Sequence, residues 1–160
     1  MFEELSQHIL DIAMNSLSAN AKKVQISILE SRKRDWLILH VRDDGRGMNA
    51  ATLKRVLASR WSSKKGRRKP VGLGLALLQQ TSEMCDGNFH VRSAPGRGTS
   101  VTASMRLSHI DRPPLGDLNT TILALCATDR KMEVRLNYRT DEKRFSFDTQ
   151  ELVTKGEVIL

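Results

Sequence analysis

An α/β two-layer sandwich, in which a mixed and largely antiparallel sheet is covered by helices on one face, is the fold class that this 160-residue sequence predicts. Three observations carry the prediction. Helical and strand periodicities follow one another in the order helix, two strands, helix, loop, helix, two strands. The strand runs come in pairs joined by short polar turns, which favours antiparallel neighbours. Glycine-rich loops stand where strands and helices meet.

The first helix spans about residues 3–19. Ile9, Ile12, Ala13 and Leu17 recur at helical spacing, while Asp11 and Asn15 lie four apart and share one face. VQISIL at 24–29 alternates as a strand, ESRKRD turns the chain, and WLILHV at 36–41 forms the second arm of a hairpin. DDGRGM is a glycine-rich loop, and Asn49 is suited to cap a helix over about 50–59. Residues 60–70 have no periodicity, hold a basic run and end at Pro70, so they read as a long loop. GLGLALLQQTSEM at 72–84 is the next helix, with Leu75, Leu78 and Ser82 on one face. NFHVRS and TSVTASMRL alternate as a strand pair joined by APGRG. The turn-rich seam SHIDRPPLGD follows. Beyond it come a helix at about 117–127, a strand at 132–138, the short strand RFSFD and a last short helix. The expected division is a main domain over 1–107 and a small α/β extension over 108–160 that packs on or extends the main sheet.

The chain is long enough to bury a core without disulfides or structural metal. Cys85 and Cys126 lie in apolar helical contexts and read as core fillers. No signal-like run and no apolar stretch of membrane-spanning length is present, which makes the cytoplasm the expected compartment, with no membrane partner. The formal charge is +8. Residues 108–160 hold eight Lys/Arg and nine Asp/Glu, so the excess lies in residues 1–107, and six basic residues fall within RWSSKKGRRK at 60–69. Such a run suits nucleic acid, an anionic partner or a nucleotide phosphate, and equally a solvated loop.

Several chemistries are excluded by their motifs. There is no GxxxxGK[ST], no HExxH and no paired CxxC, and the four histidines are scattered, as surface or satisfied polar residues would be. Three glycine motifs remain. DDGRGM puts an aspartate at a strand end before two glycines that allow close backbone approach, a place where a carboxylate can accept a hydrogen bond from an exocyclic amine. GLGLAL opens a helix just after the basic run, and unpaired N–H groups at a helix start favour anions. GRGTS leads into a strand with Thr99 at its start. Each also fits an ordinary tight turn. In the first helix, the Asn15 side-chain oxygen suits magnesium, and a carboxylate one turn earlier can orient or deprotonate a water; a plain polar helix face fits the same residues.

Taken in order, these motifs resemble the ATP-binding domain shared by DNA gyrase, Hsp90, sensor histidine kinases and MutL, the GHKL superfamily, over about residues 5–107. DIAMNSLSANA is similar to the first box, DDGRGM to the DxGxG box, GLGLAL to the second glycine box, and APGRGTS to the closing GxGT pattern. The resemblance implies the histidine-kinase-like ATPase fold with ATP and Mg2+ as cofactors. It implies Asn15 as the magnesium ligand and Asp11 as the water-activating residue, an aspartate where the ATPase members carry glutamate. It places Asp43 against the adenine amine with Gly45, Gly47 and Met48 beside it. Gly72, Leu73, Gly74 and Leu75 fall beneath the phosphates, and Thr99 falls near the base. WSSKK is similar to the lid element of several members, which brings Ser62, Ser63 and Lys64 toward the phosphates, with Lys64 as a catalytic candidate.

Three functions follow from the resemblance: ATP hydrolysis coupled to a conformational switch or a partner protein, a protein kinase acting on a separate phosphoacceptor, and a nucleotide-gated binding module without turnover. No phosphoacceptor hairpin precedes the first box, and His8, seven residues before Asn15, is expected to be structural. A partner protein is expected, with 108–160 as its first candidate docking surface. A nucleic-acid partner is not expected, because the basic run lies where a lid would be and no recognition helix is legible.

Overall fold

The computed structural model describes residues 2–58, 73–129 and 131–154. The described elements are α1 (Leu5–Ser18), β1 (Lys23–Ser31), β2 (Trp36–Asp43), α2 (Ala50–Ala58), α3 (Leu73–Met84), β3 (Phe89–Ala94), β4 (Gly98–Arg106), α4 (Leu118–Thr128), β5 (Glu133–Thr140), β6 (Arg144–Asp148) and α5 (Thr149–Thr154). The strands form one six-stranded sheet in the order β3-β4-β2-β1-β5-β6. Every neighbouring pair is antiparallel except β1 with β5, which run parallel. The sheet is therefore mixed and largely antiparallel, with helices on one face.

Period-two alternation decides which face is covered. Val24, Ile26 and Ile28 of β1, Leu37, Leu39 and Val41 of β2, and Val101, Ala103 and Met105 of β4 are all buried. Their neighbours along each strand point to the opposite face. On the covered face α1 contributes Leu5, Ile9, Ile12 and Ala13, and α3 contributes Leu75 and Leu78. This shared apolar contact removes one face of the sheet and one stripe of each helix from water.

The segment after β4 is tied to the rest at the start of α1 and at the end of β1. The first N–H groups of α1, which have no partner within the helix, are met by carbonyls of this segment: Leu5 N–H donates to Pro114 O at 2.9 Å and Ser6 N–H to Leu115 O at 2.9 Å. α1 stops where Asn20 adopts a left-handed conformation with φ of 58°. Ser31 and the turn after β1 bind the Asp141 carboxylate: the Ser31 hydroxyl donates at 2.7 Å and Arg32 N–H at 2.8 Å. β5 then places Val134 and Leu136 in the same core as α1 and β1, joined by Leu125 of α4.

Leu136→Ala is expected to lower the unfolding free energy by about 2–5 kcal/mol, with a single urea transition. Two separated transitions would show that β5 and β6 unfold apart from the first four strands.

Candidate functional site

The last residue of β2 is Asp43, and three donors from three segments converge on its carboxylate. Ser16 of α1 donates its hydroxyl to Oδ2 at 2.6 Å. Gly45 N–H donates to Oδ1 at 2.9 Å, and Thr99 N–H of β4 donates to Oδ1 at 3.2 Å. Ser16 is itself buried. The neighbouring Asp44 turns elsewhere: its Oδ1 accepts the N–H groups of Lys22 at 2.8 Å and Lys23 at 2.9 Å. Of the two adjacent aspartates, Asp43 is the one that lines a cleft.

That cleft has a volume of about 480 Å³ and lies between α1, α2 and the ends of β2 and β4. Asn15, Asp43, Gly47, Met48, Leu75 and Thr99 all line it. Ile12, Val56 and Val101 give it apolar walls, and Asn15, Ser18, Arg46 and Thr52 bring polar groups to it. α2 stands on the rim because Asn49 starts it there, its Oδ1 accepting Thr52 N–H at 2.8 Å. A narrow apolar cleft with one fixed carboxylate suits a flat ring that presents an N–H group.

The loop after β2 is held against the β3–β4 turn. Gly47 has φ of 67°, and a Cβ there would lie 2.0 Å from the Ala94 carbonyl oxygen. Only glycine allows that approach in that conformation. Met48 N–H donates to the Ser93 hydroxyl at 2.8 Å, and this hydroxyl lies 2.8 Å from Thr99 Oγ1. The Arg46 guanidinium donates to Ser18 O at 2.8 Å, which draws the loop toward the end of α1.

Other residues singled out in the sequence fall beside the cleft. Gly45 is buried behind Asp43, where a Cβ would lie 3.0 Å from Ala19 Cβ. Asp11 packs on the start of α3: a Cβ at Gly74 would lie 1.7 Å from Asp11 Oδ2. The glycine thus makes room for a carboxylate at a helix start, where the dipole favours negative charge. Neither Asp11 nor Gly74 is among the residues lining the cleft. Leu73 opens α3. Ser62, Ser63, Lys64 and Gly72 lie outside the described residues. Among the described residues no cluster of three or more His, Cys, Asp or Glu side chains is placed to hold a metal.

Ser16, Arg46 and Ser93 were not legible as site residues. Ser16 meets Asp43 across 27 positions of chain, and a serine in an amphipathic helix carries no signal of that.

His8, expected to be structural, sits in the core. It is fully buried, edge-on to the Phe2 ring, with Nε2 3.3 Å from the Thr81 hydroxyl and no hydrogen-bond partner at Nδ1 among the described residues. It faces α3 and does not line the cleft. Burial lowers its pKa to about 4.

With this geometry in view, the comparison with known proteins is direct. Residues 1–109 match the family described as histidine kinase-, DNA gyrase B-, and HSP90-like ATPase, and the chain belongs to this family. Sensor histidine kinase ZraS of Klebsiella oxytoca is 30% identical over 101 residues, which cover 62% of this chain and 21% of that protein. Sensor histidine kinase YvrG of Bacillus subtilis is 28% identical over 90 residues, covering 55% of this chain and 16% of that protein. The chain thus spans only a minor part of these kinases. Among solved structures, the N-terminal domain of a DNA repair protein superposes with a TM-score of 0.61 at 14% identity, covering 91% of this chain and 52% of that one. The Aquifex aeolicus MutL ATPase domain complexed with ADP superposes with a TM-score of 0.51 at 17% identity, covering 86% and 61%. At these identities the likeness is one of fold. Homology to the family suggests nucleotide binding and a catalytic or conformational role. No helix among the described residues is long and apolar enough to cross a membrane.

The His8 environment has a measurable consequence. Because its folded pKa lies below the unfolded value near 6.5, the unfolded chain binds more protons between these values. Its contribution to stability is complete above about pH 6.5 and is lost progressively as the pH falls toward 4. Urea unfolding at pH 7 and pH 5 is expected to show this loss in the native chain and a smaller one in His8→Leu. An equal loss in both would place the acid sensitivity elsewhere.

Proposed function

We propose that the protein binds ATP with Mg2+ in the cleft at Asp43 and hydrolyses it, coupling turnover to a conformational switch or to a partner protein. The observation that carries this reading is the Asp43 carboxylate, fixed by three donors at an apolar cleft that Asn15 also lines. In this reading Asp43 accepts the adenine amine. Met48, Leu75 and Val101 contact the ring faces, and Thr99 stands beside the base edge. Asn15 supplies a side-chain oxygen to Mg2+, a hard cation that keeps several waters and is otherwise bound by phosphate oxygens. Bound Mg2+ supplies neutralisation of phosphate charge. Gly72, Leu73, Gly74 and Leu75 pass beneath the phosphates at the start of α3, with Ser63 and Lys64 approaching from the basic run.

Asp11 is the proposed general base. It precedes Asn15 by one turn of α1, and its contact with Gly74 keeps a carboxylate beside the proposed phosphate cradle. Its role is to orient a water and accept its proton as the terminal phosphoryl group is attacked. The same contact gives Gly74 a second purpose, because a methyl group there would turn the carboxylate away.

Phosphotransfer to a separate protein is the second reading, and the identity to sensor histidine kinases favours it. A partner or phosphoacceptor protein is proposed in either case, and a cytoplasmic location is proposed with it. Incubation with γ-labelled ATP, alone and with host cell extract, separates the readings. Free phosphate from the purified chain is the expected result. Label on an extract protein would favour the kinase, and tight binding with neither outcome would favour a switch without turnover.

ATP affinity is expected in the micromolar range, about −8 kcal/mol. In calorimetry Asp43→Asn should weaken it by about tenfold or more, and Ser16→Ala by a smaller factor, because the first loses a charged acceptor and the second only its orientation. Asn15→Ala should remove the magnesium dependence. Unchanged binding in both Asp43→Asn and Asn15→Ala would show that ATP binds elsewhere. Asp11→Asn should leave affinity close to native and lower single-turnover hydrolysis by about a hundredfold or more. A native hydrolysis rate in that variant would remove Asp11 from the chemistry.

A further inference from the structure

The strand pairings bring together side chains on the face of the sheet opposite the buried core. Arg92 of β3 and Arg42 of β2 flank Ser100 of β4 in one row across the strands. Two residues further along the strands, the next row reads His90, Thr102, His40, Ser27, Asn137 and Ser146. The row after that reads Ser104, Ile38, Leu29, Arg139 and Arg144, and Arg106 pairs with Trp36 beyond it. Arg42, Arg92, Arg106, Arg139 and Arg144 are all exposed.

Acidic groups on this face are already engaged. Glu133 pairs with Lys23 and Arg135, each at 3.4 Å, and Asp148 pairs with Arg135 at 2.8 Å. None of the five exposed arginines has a salt bridge among the described residues. The result is a cationic surface about 24 Å across, given strand spacings of about 4.8 Å. Short hydroxyl and amide side chains run across its middle, with arginines on both sides.

We propose that this open sheet face binds a single strand of nucleic acid along its phosphodiester backbone. Three features favour that occupant over an acidic protein segment. The five exposed cations without a salt bridge among the described residues are all arginines, whose planar fork matches phosphate geometry; of these, Arg92 donates to His90 Nε2 at 3.2 Å. The middle row offers hydroxyl and amide donors over the width of the sheet, which suits an extended ligand. The exposed His90 ring and the Trp36 ring, with the Arg106 guanidinium 4.2 Å from its centroid, give planar surfaces for bases. The basic run at 60–69 is a separate source of charge, and it is the control that the test requires.

The test uses the full chain without nucleotide. Fluorescence anisotropy is measured with labelled oligothymidine and oligouridine of about 20 nucleotides, from 50 to 200 mM salt. Either sugar should bind, with affinity falling steeply as salt rises. The triple variant Arg92→Gln/Arg139→Gln/Arg144→Gln should weaken binding at least about tenfold and reduce the salt slope by about two. The basic-run variant Lys64→Gln/Lys65→Gln/Arg67→Gln should retain most of the affinity. The reverse pattern, with binding lost in the basic-run variant and kept in the sheet variant, would overturn the proposal. So would absence of binding to either oligonucleotide, or equal displacement by polyglutamate at matched charge, which would assign the face to an acidic protein. Trp61→Phe provides a local reading. It leaves Trp36 as the sole tryptophan, whose emission should change on saturation with oligonucleotide; an unchanged spectrum under saturating conditions would place the ligand away from this face.

Discussion

The Asp43 carboxylate is the joint on which the cleft is built. One donor comes from a helix, one from the loop that follows its own strand, and one from a strand that arrives more than fifty residues later. Each hydrogen bond to a carboxylate contributes modestly in water, but convergence of three on one partly buried group fixes the spacing of the two layers. With that spacing set, Ile12, Val101 and Leu75 face one another across a gap that the side chains leave open. The cleft follows from how the helix layer is tied to the end of the sheet.

The same sheet serves opposite purposes on its two faces. Toward the helices it presents Val, Ile and Leu, whose burial is the principal source of stability. Toward solvent it presents mainly arginine, histidine, serine and threonine, with Leu29, Trp36 and Ile38 among them. The polar residues could not occupy the covered face without leaving polar groups unpaired. Addition of β5 and β6 beyond β1 extends both surfaces at once: Val134 and Leu136 lengthen the core, while Arg139 and Arg144 lengthen the cationic face. The carbonyls of Pro114 and Leu115 at the start of α1 draw the connecting segment close to the helix that carries Asn15.

Local chemistry made much of this legible from the chain. Alternation in VQISIL and WLILHV reports a half-buried strand because a strand has a period of two, and the buried set Val24, Ile26, Ile28 follows it. The pairing of Asp43 with two following glycines pointed to a close backbone approach, and Gly47 makes one against Ala94. Distinguishing Asp43 from Asp44 was a matter of spacing in the sequence, whereas in the fold it is a matter of which partners each carboxylate reaches. The surroundings of His8 were not legible, because a lone histidine gives no sign that a phenylalanine six residues earlier will pack edge-on to it.

By itself, then, the sequence determined the element types, the covered face of each strand and the order of the glycine loops. Those properties depend on period, side-chain volume and the conformational freedom of glycine within a few residues. Only the tertiary structure decided that Ser16 would hold Asp43, that Asp11 would rest on Gly74, and that arginines from β2, β3, β4, β5 and β6 would share one surface. These depend on strand order and register, which join positions tens of residues apart and are set by the packing of the whole sheet against its helices.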